Sequence, residues 1–286
     1  MTATTSQASH EVHFGHSPFT KGSRLAAIGS LLGALEELSR PADMADRHLF
    51  AWPIRRTALR AFGKKRAQPL LRCFEHPRYQ VLVATRAVAA LGVIAAPSRS
   101  RIRAASSCVL TALLLAKSYR GNYGSDGSDQ MSMIVHTTSA VAQLPGISPA
   151  QRTALESFVT FQSVLSYFVA GSAKVLSTSW RDGSAIDGIF RTQTYGDEWL
   201  YRFVSARPWA KKTLAWSVTL AETAFPLVLV LPHGPRQCLI LLAAGFHVGN
   251  ARFMGLNRFF WAFLGTYPLV VSTARKIKAI DRGNKE

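Results

Sequence analysis

The chain has 286 residues, 48% of them hydrophobic and 17% charged, with a net charge of +18. Its apolar residues gather into runs of about 20, the length that crosses a bilayer, which excludes a uniformly polar disordered chain and predicts a multi-pass cell-membrane protein. The basic residues are not spread over a nucleic-acid-binding face: one block lies between Arg40 and Arg78 and another follows Arg275, so membrane lipid, and no nucleic acid, is the expected counter-charge.

Residues 1–22 are polar, with His10, His13 and His16 at three-residue spacing; a disordered tail is expected there, with metal binding as the alternative. From Ser23 to Leu38 the residues Leu25, Ile28, Leu31, Leu32, Leu35 and Leu38 recur at helical spacing, predicting a short amphipathic helix with those side chains on one side. Residues 48–77 set Trp52, Phe62, Leu70 and Leu71 amid arginines, a pattern suited to an interfacial segment. Residues 1–77 are therefore read as a polar and basic N-terminal segment, 78–275 as a transmembrane domain and 276–286 as a basic tail.

Apolar runs near 79–96, 102–118, 130–146, 156–176, 212–231, 237–254 and 257–273 predict an all-α polytopic bundle of about six to eight spans. Pro97, Pro145, Pro149, Pro208, Pro232 and Pro235 fall between them, where proline disturbs helical hydrogen bonding least. Two basic blocks on one membrane face demand an even number of crossings, in conflict with an odd number of runs. Residues 177–210 mix Arg181, Asp182, Asp187 and Arg191 with Trp199, Tyr201 and Phe203 and read as an ordered interfacial loop. Cys73, Cys108 and Cys238 form no CxxC pair and leave an odd count, which argues for neither a disulfide framework nor a metal site.

Ionisable groups inside apolar runs are costly and mark candidate functional sites. Lys174 lies toward the end of the 156–176 run, behind a small and polar stripe of Gln162, Ser166, Ala170 and Ala173. Facing a cavity it would serve as a base; the alternative is a lysine whose stem reaches out to headgroups. Glu222 sits mid-run with too short a side chain to reach water and would tune the lysine, relay its proton or staple the bundle. His247 and Asn250, three apart, share a helix face, and Gly245 with Gly249 forms a GxxxG step, a packing signal. His136 is expected to face the interior shared with Lys174. Asp126 and Asp129 lack the full spacing of a calcium loop, so Asp129 or Ser128 is read first as a helix cap. Phosphate loops, HExxH and serine-protease arrangements are absent from the sequence.

Tyr167-Phe-Val-Ala-Gly-Ser-Ala-Lys174, then Trp180 and Gly183, then Glu222, then Phe246-His247-Val-Gly-Asn250 resemble the membrane domain of the vitamin K-dependent gamma-glutamyl carboxylases and their bacterial relatives, the HTTM group. The resemblance covers roughly residues 119–272, with one extra residue between Lys174 and Trp180. It implies that Lys174 is the base that deprotonates a hydroquinone, that His247 and Asn250 share its membrane-embedded core, and that Glu222 lies in the intervening helix. Two departures stand out. The Asn-His pair of the carboxylases is replaced by Ser125-Asp-Gly-Ser-Asp129, and the chain runs only to Glu286, without the large soluble domain that binds protein substrate. Peptide gamma-carboxylation is therefore not expected. The resemblance implies a small protein of a bacterial inner membrane, acting on a quinone-like lipophile as cofactor or substrate, or in peptide maturation beside a protein or peptide partner. Lys174, Glu222 and His247 are the candidate catalytic residues; Asn250, His136 and Asp129 are the candidate cofactor-binding ones. A non-catalytic scaffold for another protein is the alternative reading.

Overall fold

The computed structural model describes residues 17–45, 51–58, 71–98, 100–121 and 127–283. His10, His13, His16, Phe62, Leu70, Ser125 and Asp126 lie outside them. The described residues form an all-helical structure without strands. Besides a single helical turn at Trp52–Arg55 and short 3-10 turns, its helices are α1 (Pro18–Ser39), α2 (Tyr79–Ala95), α3 (Arg101–Arg120), α4 (Gly127–Val141), α5 (Pro149–Leu176), α6 (Thr178–Asp182), α7 (Ser184–Phe190), α8 (Glu198–Ser205), α9 (Pro208–Ala224), α10 (His233–Met254), α11 (Asn257–Leu264) and α12 (Tyr267–Gly283). Six of the seven predicted apolar runs fall largely on α2 to α5, α9 and α10, whereas the run 257–273 is broken at Gly265 and Thr266 into α11 and α12. Local chemistry sets several ends. Ser148 and Gln151 form a reciprocal capping box at the start of α5, Ser100 caps α3, and Pro208 opens α9 from its first turn.

No helix among the described residues is both long and apolar enough to cross a membrane. One reason lies in where the polar groups point. Arg86, Arg103, His136, Glu156, Glu222 and His247 are buried, while Val81, Val88, Phe158, Phe161, Leu241 and Leu242 face outward. Hydropathy averaged along a helix sums both faces, and the buried polar face lowers it.

α1 departs most from its expected role. It packs against α2, α4, α11 and α12 and belongs to the bundle, so the boundary placed at residue 77 does not separate it from the helices that follow. Its leucine side is not the buried one: Gly22, Ala26, Gly29, Ser30 and Gly33 are buried, whereas Leu35 is half exposed and Leu25, Ile28 and Leu31 are partly so. The reason is steric. A Cβ on Gly22 would stand 2.4 Å from the Gly265 carbonyl oxygen, and one on Gly33 would stand 2.8 Å from Arg258 Cδ. Small residues let α1 approach the α11–α12 region backbone to backbone, a contact leucine would prevent. The Gly245/Gly249 step on α10 does the reverse of what was expected, since both glycines face open space.

Helices alternate in direction between two ends. Arg40, Tyr79, Arg120 and Asp129 meet at one end, and Thr20, Ser98, Arg103 and Ser139 at the other. Lys276 on α12 contacts Thr153 and Glu156 near the start of α5, so the tail leaves from the second end while Arg40 lies at the first. Of the described basic residues, Arg40 and Lys276 thus lie at opposite ends. The loop 177–210 is ordered by α6, α7 and α8, with Ile186, Phe190, Val204 and Ala215 packed together.

Candidate functional site

Gly171 positions the central pair. A Cβ there would stand 2.5 Å from the backbone nitrogen of Thr223, so α5 and α9 touch at that point. Three residues along α5, Lys174 Nζ donates to Glu222 Oε2 at 2.6 Å. The Trp180 ring lies 4.9 Å from the ammonium, a favourable cation–aromatic contact in a partly dry site. Gly183 supplies the left-handed turn, φ 88°, that ends α6 beside Lys212, and Asp182 accepts from the Ser184 backbone N–H at 2.8 Å. The Trp-x-x-Gly stretch therefore folds the chain back over Lys174. Glu222 is 5% exposed and the lysine side chain 17%.

Seven residues earlier on α5, the Tyr167 hydroxyl lies 2.5 Å from His247 Nε2 and 2.7 Å from the Tyr267 hydroxyl. His247 stacks on Phe263 at 4.7 Å, Phe225 covers Tyr167 at 4.0 Å, and His247 Nδ1 is buried without a hydrogen-bond partner. Two phenols and an imidazole thus form a buried hydrogen-bonded chain that crosses from α12 through α5 to α10. Further along, Ser163 pairs with Thr266, and Thr160 with Thr273, each at 2.9 Å, and Glu156 accepts from Lys276. The buried stripe of α5 is thus Thr160, Ser163, Tyr167 and Gly171. It lies one residue, about 100° of helix, from the Gln162–Ser166–Ala170 stripe read from the sequence, and Ala173 is exposed.

The other predicted site residues go elsewhere. Asn250 is half-buried, and its side chain makes no hydrogen bond among the described residues, although it shares α10 with His247. His136 does not meet Lys174: it is fully buried with Nε2 3.3 Å from Ser30 Oγ on α1. Asp129 accepts from Lys117 at 2.7 Å and lies 3.6 Å from Arg258. Glu37 adds Arg86 at 3.0 Å and Lys117 at 3.6 Å. This ion network joins α1, α2, α3, α4 and α11 beside a cavity of about 440 Å³. No group of His, Cys, Asp and Glu among the described residues could hold a metal ion. Sequence reasoning missed Tyr267 and the Ser–Thr ladder; the signal was available in the i, i+3, i+7 spacing of Thr160, Ser163 and Tyr167.

Neither large cavity is lined by Lys174, Glu222 or His247. Searches against protein-family models, curated proteins and solved structures found no match to this chain.

Proposed function

We propose that the protein is a membrane-embedded helical bundle of the HTTM type in which Lys174 and Glu222 act as a proton-transfer pair on a lipophilic, quinone-like substrate. The observation that carries this reading is the 2.6 Å contact between a lysine and a carboxylate from different helices, flanked by Trp180 and largely withdrawn from water. Passage of the ammonium proton to Glu222 frees the Lys174 amine, which then accepts the proton of a substrate hydroxyl and leaves an oxyanion. Outward-facing Val88, Leu91, Phe161, Phe168 and Leu241, on three different helices, support residence in a bilayer by giving lipid an apolar surface to contact.

The test has two parts. The protein should remain in the pellet after a carbonate wash, and a redox-active lipophile should co-purify in mild detergent and be lost from Lys174→Ala. Recovery in the wash sinks the membrane reading.

A second reading has its own observation. Lys174 and Glu222 line neither large cavity, as expected if the pair only fastens α5 to α9 while the protein serves as a scaffold for a protein or peptide partner. A stoichiometric protein partner with only phospholipid in the preparation would favour it.

A further inference from the structure

At the end of the bundle remote from Lys174, a cavity of about 510 Å³ is bounded by α1, α3, the end of α4, the α2–α3 and α4–α5 connections and the start of α5. Its volume lies within the 300–1,000 Å³ typical of ligand sites. Arg101, Arg103 and Arg152 line it, none of its lining residues is acidic, and the remaining polar lining is mostly hydroxyl. At the opposite end, by contrast, Arg86, Lys117 and Arg258 each have an acidic neighbour in Glu37 or Asp129.

Arg103 is built in. It is 1% exposed, donates through Nη2 to the Thr20 carbonyl at 3.1 Å and to Ser23 Oγ at 2.5 Å, and through Nη1 to the Val93 carbonyl. Those acceptors are neutral, so the guanidinium charge has no counter-ion among them, and a buried charge is costly until one arrives. Ser139 is an independent sign. It lines the cavity, is 1% exposed, and its Oγ has no hydrogen-bond partner. The starts of α1, α3 and α5, helices of 22, 20 and 28 residues, also converge here and add positive dipole ends.

We propose that this cavity is a binding site for a phosphoryl anion, either free phosphate or the head of an anionic phospholipid. Arg101 and Arg152 at its rim would grip the oxygens in forked hydrogen bonds, Ser139 would donate from within, and buried Arg103 would supply the fixed charge. The site stands independently of any chemistry at Lys174.

The test uses the purified full chain. In one arm inorganic phosphate is titrated by calorimetry; in the other the protein is taken from phosphatidylglycerol–phosphatidylcholine vesicles and retained lipid is weighed by native mass spectrometry. Arg101→Gln combined with Arg152→Gln, neither residue being buried, should weaken binding about tenfold or more, and Ser139→Ala a few-fold. Phosphate binding without retained lipid identifies a free anion; selective retention of phosphatidylglycerol identifies the lipid head. Unaltered melting of the variants guards against misfolding. Absence of saturable binding in both arms, or binding that the double variant leaves unchanged, overturns the proposal.

Discussion

Gly171 and Thr223 are in backbone contact, and that contact sets Glu222 beside Lys174. A methyl group at residue 171 would meet the Thr223 nitrogen at 2.5 Å and its Cα at 2.9 Å, and neither atom can move without shifting α9. Gly171→Ala should therefore cost about 1–3 kcal/mol and part the ion pair. Thermal unfolding in detergent measures this; a melting temperature at the wild-type value would show that the helices do not approach so closely.

Lys174→Ala and Glu222→Ala should differ. Without the lysine, Glu222 can take up a proton and remain buried as a neutral acid, so stability should change little while the proton transfer proposed for the pair is lost. Without the carboxylate, the lysine keeps an uncompensated charge in a partly dry site, a loss on the order of 3–5 kcal/mol. Chemical denaturation and turnover measured on the same preparations separate the two. A Lys174→Ala protein that is destabilised yet active per folded molecule would leave the pair a staple.

Tyr167→Phe removes one oxygen and strands two partners, since both His247 and Tyr267 bond to that hydroxyl. The ring still fills its place against Phe225 and Phe263, so packing is conserved and the cost is that of unmade buried hydrogen bonds, about 1–3 kcal/mol. If turnover also depends on this buried hydrogen-bonded chain, it should fall with Lys174 intact. Turnover that survives together with a lowered melting temperature would assign Tyr167 to the core alone.

The buried side of α1 can be tested by a contrast. Gly22→Val places atoms where the Gly265 carbonyl and Leu269 already stand and should cost about 1–3 kcal/mol or more. Leu35→Gln, on the half-exposed side, should stay within about 0.5 kcal/mol. The opposite ranking in a denaturation series would return α1 to a leucine-faced packing.

The sequence by itself determined that the described residues are all-helical and roughly where most of the long helices lie, but not α6, α7 and α8 within residues 177–210 or the break between α11 and α12. Period 3.6 repeats, prolines at the breaks and the Ser148–Gln151 cap are local signals, each complete within a few residues. It also marked Lys174, Glu222 and His247 as groups needing partners, because a charge or imidazole in an apolar run needs one wherever the run folds. Only the tertiary structure decided which face of each helix turns inward. Hydropathy indicates a direction when the buried face is the apolar one; in α1 and α5 the buried face is small and polar, and the apolar side chains lie on the other side, so the leucines of α1 and the Gln162–Ser166 stripe of α5 pointed the wrong way. Partnerships were equally beyond local reading. Lys174 and Glu222 are 48 residues apart, Tyr167 and His247 80, and His136 and Ser30 106. Which of these meet depends on how closely two backbones approach, and that is set by glycines such as Gly22 and Gly171, whose role appears only once the opposing helix is in place.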